Sequence, residues 1–362
     1  MMARQRRAMS LRPRARIHLS NIAANWRRMD ILSGEGGAGA VVKADAYGHG
    51  IGPVSTALAD AGCRTFFVAY GFEGVRVREA VGPDAEIYVF NGLAALDREE
   101  AISCTLRPVL NSTAEIAEWR QLDWGTPFAL HVDTGMNRLG IRPGDVRAAA
   151  ERLNGKKPSL LMTHFACADD PSSPMTMAQL ESLSPALKAF PGVPLSLSNS
   201  AGQWLGPEFR QGLTRPGIAL YGGGNSVRRP RDLLPGMTLE APILQVSRIN
   251  TGEPVGYGAT YRAARPTDVA TVAIGYGDGV PRAASNSGFG YLGGVRCPMI
   301  GRVSMDLITF DVSAVGPLAK PGAWVELLGA QADLEEQAAA AGTLGYELTT
   351  GMGPRVERIY EY

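Results

Sequence analysis

The sequence predicts an α/β chain, an N-terminal TIM (β/α)8 barrel followed by a C-terminal, mostly antiparallel β domain, and three features carry that prediction. Apolar runs alternate with helical stretches through eight repeats between residues 40 and 221, and eight β-α units are the number that closes such a barrel. Past Pro235 the texture changes to strand-like runs separated by Gly/Pro turns, the pattern of an antiparallel domain. No Gly-x-Gly-x-x-Gly follows the first strand, which disfavours an open, doubly wound sheet. The expected divisions are an Arg-rich tail over residues 1–16, a barrel over 17–234 and a β domain over 235–362, with a hinge in the Arg/Pro-rich segment 228–235.

Taken in order, Ser20 caps a helix that runs through Asn25 and Trp26 to Leu32. Val41-Val42 then forms a short strand that runs directly into Lys43 and a Gly/Asp/Tyr-rich turn, Ala44-Asp45-Ala46-Tyr47-Gly48-His49-Gly50. Helices are expected at 54–61, 73–80, 97–103, 113–121, 144–153 and 175–189, with a short one near Trp204. Strands are expected at 65–69, 86–90, 106–110, 128–133, 159–165, 195–199 and 213–221. In the second domain the strand runs are 243–249, 269–274, 295–300, 307–312 and 324–328, with one clear helix at 333–341.

Composition narrows the function. With 362 residues, 45% hydrophobic and 20% charged, the chain can bury a large core. A formal net charge of +1 gives no electrostatic surface for nucleic acid or membrane, so the expected partner is a small molecule. Cys63, Cys104, Cys167 and Cys297 are scattered without paired or metal-type spacing; neither a disulfide framework nor a metal site is expected, and a reducing compartment is favoured. Arg4, Arg6, Arg7, Arg12, Arg14 and Arg16 lie near the N-terminus without an acidic residue or a following apolar segment, which excludes a secretory signal and reads as a solvated tail.

Function in such a barrel sits at the C-terminal ends of the strands. There the sequence delivers Lys43 and Tyr47 from strand one, then Arg138 in the exit His131-Val132-Asp133-Thr134-Gly135-Met136-Asn137-Arg138 from strand five. Strand six ends at His164, strand seven at Ser198-Asn199-Ser200, and strand eight carries Arg215-Pro216-Gly217-Ile218. Each has an ordinary structural role open to it: a surface arginine, a satisfied core histidine, an N-cap, half of an ion pair. Together they suit an anionic, phosphate-bearing cofactor, because backbone N–H groups at Gly217 and Ile218 can cradle phosphate. An amine at the lip of an apolar core is partly desolvated, which lowers its pKa and suits it to a Schiff base with an aldehyde cofactor.

Six stretches, AVVKADAYGHG, DTGMNRLG, TRPGIALYGG, VGYGATY, IGYGDG and GRVSMD, occur in an order that resembles the bacterial alanine racemases, pyridoxal-phosphate (PLP) enzymes of barrel-plus-β-domain type. The resemblance covers nearly the whole chain beyond the tail. It implies that Lys43 holds PLP, that Tyr47, Ser200, Gly217, Ile218 and Tyr346 bind its phosphate, and that Arg215 faces the pyridine nitrogen. It implies two bases for proton transfer at Cα, Lys43 acting on the D-enantiomer and Tyr257 on L, with His164 and Arg215 in the supporting chain. Arg138 and Met305 are implied at the substrate carboxylate and Tyr276, with Tyr346, at the gate that keeps the pocket small. The expected assembly is a cytoplasmic homodimer in which Tyr257 and Met305 come from the neighbouring subunit, and the expected product is D-alanine for peptidoglycan.

Two positions depart from that pattern. His131 stands where many relatives have a lysine, often carbamylated, that holds the arginine, so Arg138 must be positioned otherwise, and a bound anion such as chloride is the expectation. Ser304 stands where cysteine is common. The other readings are a racemase of broader specificity for serine or basic amino acids, and a PLP-dependent decarboxylase. A decarboxylase would put an acidic residue against the pyridine nitrogen, which Arg215 opposes. A non-catalytic PLP-binding protein would lack the β domain and leave Tyr257 without a purpose.

Overall fold

The computed structural model describes residues 11–362. The described residues divide into two compact units, one formed by Leu19–Gly236 and the other by residues 11–18 together with Met237–Glu361.

In the first unit, seven parallel strands follow one another in sheet order: Ala40–Val41, Thr65–Val68, Glu86–Val89, Leu106–Leu110, Ala129–His131, Leu160–Met162 and Leu195–Ser196. Residues 213–216 complete the ring. Leu213 and Arg215 donate their N–H groups to Leu195 O and Ser198 O, while Gly39 and Val41 donate to Thr214 O and Pro216 O on the other side. The barrel is therefore the one expected, with eight parallel segments. Phe66, Phe67, Val89, Leu110, Leu130 and Leu161 are fully buried along these strands, as layers of side chains fill the interior of such a barrel.

The helices follow from local chemistry. Leu19–Ser33 buries Leu19, Ile22, Ala23, Trp26, Met29 and Ser33, a stripe at helical spacing. Asp97, Ser112 and Asn199 each cap a helix by accepting a backbone N–H. Two expectations are corrected here. The strand expected at 213–221 stops at Pro216, and Ile218–Tyr221 is a 3-10 turn; a proline without an N–H cannot continue the ladder. The helix expected at 175–189 is two, Met175–Glu181 and Ser184–Ala189, and Pro185 opens the second where its missing N–H costs nothing.

The second unit is built on the long strand Met237–Ile249. Its first half pairs with Trp324–Leu328 on one side and with Arg14–His18 on the other; its second half pairs with Thr267–Val272, which in turn pairs with Ile308–Asp311. Phe289–Leu292, Val295–Pro298 and Glu357–Glu361 complete the sheet. Among the described residues of this sheet, only Arg14–His18 with Glu357–Glu361 is a parallel pair. Two helices, Leu334–Ala340 and Gly345–Thr350, stand where one was expected.

The strand Arg14–His18 also corrects the tail reading of residues 1–16. Ala15 and Ile17 are fully buried, and the arginines at alternate positions meet carboxylates: Arg12 with Glu357 at 3.0 Å, Arg14 with Glu240 at 2.6 Å and Arg16 with Glu361 at 2.8 Å. Arg4, Arg6 and Arg7 lie outside the described residues. Among the described residues no helix is long and apolar enough to cross a membrane and no His/Cys/Asp/Glu cluster could hold a metal. The four cysteines are free.

Candidate active site

Lys43 does not sit on the strand itself. The strand ends at Val41, and Lys43 opens a turn in which Ala44, Asp45, Ala46 and Tyr47 all have φ of 53–55°, a left-handed run of four non-glycine residues. Left-handed helical backbone costs L-residues about 1–2 kcal/mol each, so this turn persists only because its surroundings fix it. Asp45 Oδ1 accepts from Ile51 N at 3.0 Å, and the carboxylate of Glu73 accepts from Ala44 N at 2.6 Å. Burial lowers the Lys43 pKa most, the Arg138 guanidinium lowers it further, and Glu73 opposes both. The amine is thereby moved toward the range where it acts as nucleophile or base at neutral pH.

Tyr47, at the end of the same turn, reaches the 3-10 turn that follows the eighth segment. Its ring stacks on Tyr221 at 4.9 Å between centroids, and Tyr221 donates its hydroxyl to Val41 O at 3.1 Å. A Cβ on Gly217 would stand 2.4 Å from Tyr47 Oη, so only glycine lets the two backbones and the phenol converge. Ser200 Oγ accepts from Gly217 N at 2.9 Å and from Ala219 N at 3.2 Å, which leaves its O–H free to donate outward. Ile218 opens the 3-10 turn that follows, where the N–H groups face out of the turn. Two hydroxyls and the start of a turn, gathered at one spot, are a donor set for a phosphate monoester.

Arg215 is 2% exposed. One terminal nitrogen donates to Ser196 O and Oγ, both at 2.6 Å; the other donates to Thr163 O at 2.6 Å and approaches His164 Nδ1 at 3.5 Å. Its Nε–H has no hydrogen-bond partner among the described residues. Burial brings the guanidinium down to about 9, so it stays charged at neutral pH. An arginine only donates, which makes His164 Nδ1 the acceptor and places its proton on Nε2. Burial first, then Arg215, holds His164 well below the usual histidine range, as a neutral imidazole.

His131 has a partner that the sequence did not announce. Asn111 donates both amide hydrogens to carbonyls, Phe90 O at 3.0 Å and Val109 O at 2.9 Å, so its Oδ1 accepts the His131 Nδ1–H at 2.9 Å. Burial, reinforced by Arg215, lowers the His131 pKa to about 4. The residue is neutral and brings no negative charge to Arg138, which makes no ion pair among the described residues. Arg138 stands exposed on the loop after strand five, a loop fixed by Asp133 Oδ1 accepting from Gly135 N and Asn137 N. In the first unit Tyr47, Ser200, Gly217 and Ile218 gather around one turn, His131, His164 and Arg215 act electrostatically on one another, and Arg138 acts on Lys43 and both histidines.

The remaining expected residues belong to the second unit. Tyr257 is 73% exposed at the head of the 3-10 turn Tyr257–Ala259. Met305, 54% exposed, accepts from Gly277 N at 2.9 Å, so it lies beside the turn Tyr276–Asp278. Arg355 ties these two segments by ion pairs to Asp278 at 2.7 Å and Asp306 at 2.6 Å. Tyr346 is half-buried on the helix Gly345–Thr350. Glu73, Asn111 and Arg355 were not expected from the sequence; a lone acid in a helix, an asparagine after a strand and a late arginine carry no local signal.

Comparison with known proteins agrees with this geometry. The family described as alanine racemase, N-terminal domain, matches residues 17–225, and alanine racemase, C-terminal domain, matches 236–360. An alanine racemase of Methylobacterium nodulans is 45% identical over 96% of this chain and 95% of its own length, and a catabolic alanine racemase of Agrobacterium fabrum is 40% identical over 95% and 91%. Among solved structures, the Bartonella henselae alanine racemase with covalently bound pyridoxal phosphate superposes with a TM-score of 0.90 at 34% identity, covering 97% of this chain and 99% of that one. The biosynthetic alanine racemase of Pseudomonas aeruginosa gives 0.89 at 37%, with the same coverage. The chain belongs to the alanine racemase family.

Proposed function

We infer that the chain is a PLP-dependent isomerase that interconverts L- and D-alanine. The observation that carries the reading is the company of Lys43: a partly desolvated amine, a phosphate cradle on the adjoining turn, and a buried arginine, Arg215, with no carboxylate partner among the described residues. When bound, PLP supplies an electron sink that makes the alanine Cα proton acidic.

The residues divide that work. Lys43 holds the cofactor and serves as the base for the D-enantiomer. Tyr47 and Ser200 donate hydroxyls to the phosphate, Ile218 offers its backbone N–H, Gly217, whose own N–H is held by Ser200 Oγ, lines the cradle without a side chain, and Tyr346 is assigned to the same phosphate. Arg215 would face the pyridine nitrogen, and because a guanidinium does not surrender a proton near neutral pH it would keep the sink weak and favour return of the proton over loss of carbon dioxide or amine. Tyr257 is the base for the L-enantiomer, supplied by the partner subunit in a homodimer. A phenol titrates near 10, and the His164 Nε2–H, backed by Arg215, offers the hydrogen bond that stabilises the phenolate. Arg138 and Met305 position the substrate carboxylate, Arg138 with the help of a bound anion such as chloride. Tyr276 and Tyr346 limit the pocket to a small side chain.

The expected barrel over 17–234 and β domain over 235–362 shift to a PLP-binding barrel over Leu19–Gly236 and a β domain over Met237–Glu361, to which Arg14–His18 contributes a strand. The setting we assign is the cytoplasm, with D-alanine passing to peptidoglycan. The test is the optical rotation of L-alanine incubated with protein and PLP, with serine, lysine and arginine in parallel. Decay toward zero, fastest with alanine, is the expected result. Rotation constant with all four, in protein that holds PLP, refutes the reading and makes carbon dioxide release the next assay; faster decay with serine or lysine moves it to a broader-specificity racemase.

A further inference from the structure

Glu73 is 5% exposed, and both of its carboxylate oxygens are occupied. Oε2 accepts from Ala69 N at 2.8 Å and Tyr70 N at 3.2 Å, at the start of the helix Gly71–Val81. That much is helix capping, since a glutamate on the third residue commonly reaches back to the N-cap N–H. Oε1 does something capping does not require. It crosses to the neighbouring strand exit and accepts from Ala44 N at 2.6 Å, the first peptide after Lys43 and the first residue of the left-handed run.

We propose that Glu73 is a positioning residue for Lys43: its carboxylate ties the exit of the second barrel strand to the peptide following the lysine and holds the backbone in the left-handed conformation that presents the amine. The proposal deepens the cofactor-holding role inferred for Lys43 and rests on it. Three features support it. Four successive non-glycine residues at φ of 53–55° need an external restraint. A buried carboxylate binds N–H donors more strongly than any neutral side chain could. And this anion is the group that favours the charged form of Lys43, against burial and Arg138, so it balances the amine while fixing its base.

The test is retention of PLP. Glu73→Gln keeps the shape but turns one acceptor into an NH2 group facing a backbone N–H. Glu73→Asp retains the charge and is too short to serve both Tyr70 and Ala44. In each, PLP dissociation, followed by loss of its visible circular dichroism after dilution into a PLP trap, is expected to quicken at least fivefold with far-UV circular dichroism unchanged. Adding Ala44→Gly, which accepts positive φ without restraint, is expected to return the Glu73→Gln rate to within twofold of wild type. Wild-type retention in both single variants overturns the proposal, and so does a Glu73→Gln defect that Ala44→Gly leaves untouched, because capping alone would then explain it. Borohydride reduction of the wild-type holoenzyme followed by peptide mapping tests the underlying reading separately: label on any lysine but Lys43 refutes that reading whatever the Glu73 variants do.

Discussion

Gly217→Ala isolates the phosphate cradle from the rest of the site. The obstacle to alanine at Gly217 is the Tyr47 side chain, whose Oη and Cζ would lie 2.4 and 3.0 Å from the new methyl. A carbon–oxygen contact needs about 3.4 Å, so the phenol must retreat by about 1 Å. It cannot do so freely, because Tyr47 is 7% exposed and its ring lies against Tyr221. Overpacking of this kind costs about 1–3 kcal/mol, and if the loss falls on the bound state PLP affinity drops about 5- to 150-fold. Fluorescence titration of cofactor-free protein with PLP measures it. The contact also predicts coupling: in a Tyr47→Phe background, where the nearest atom is gone, the same glycine substitution should cost at least fivefold less. Unchanged PLP affinity in Gly217→Ala, or equal costs in the two backgrounds, would show that Tyr47 and Gly217 do not share a phosphate site.

Four further outcomes are expected. Tyr257→Phe should keep PLP and lose about 10²- to 10⁴-fold in turnover of L-alanine; wild-type rates in both directions would remove Tyr257 as a base. Lys43→Ala should abolish covalent PLP, and a cofactor spectrum identical to wild type would refute the assignment. Replacing chloride by a bulky organic anion at constant ionic strength should raise KM for alanine through Arg138, and indifference to the exchange would eliminate the chloride reading. For His131 the folded pKa lies below the unfolded value, so its contribution to stability is full above pH 6.5 and is lost as pH falls toward 4. That interval is worth about 3 kcal/mol, and urea unfolding of wild type and His131→Gln at pH 7 and 4.5 should show the variant losing less; equal losses would mean that His131 does not carry this linkage.

What could be read from the sequence was whatever repeats or sits in a contiguous motif. The β-α alternation announces the barrel, and strand ends that deliver Lys43, His164, Ser200 and Arg215 announce its mouth. What could not be read depends on contacts across long stretches of chain. Glu73 meets Ala44 across 29 residues and Asn111 meets His131 across 20, and neither contact leaves a mark in the local pattern. The left-handed turn is similarly silent, since Ala-Asp-Ala-Tyr has no residue that demands positive φ. The strand Arg14–His18 was legible in principle: Arg-Ala-Arg-Ile-His alternates polar and apolar with period two. Its charge concealed it, because the matching glutamates lie at 240, 357 and 361.

That strand also fixes a timetable. Ala15 and Ile17 leave the ribosome well before their partners on either side, Met237–Ile249 and Glu357–Glu361, which are made more than two hundred and more than three hundred residues later. Pairing so distant in sequence is slow to form, while the barrel, whose neighbours are successive in the chain, can assemble during synthesis. Until the last strand emerges, the buried edge of an eight-stranded sheet waits unpaired. A fragment beginning at Met237 would lack an interior strand, so the β domain should not be obtainable by cutting the gene at its obvious boundary, and adding residues 11–18 as a separate peptide should restore it.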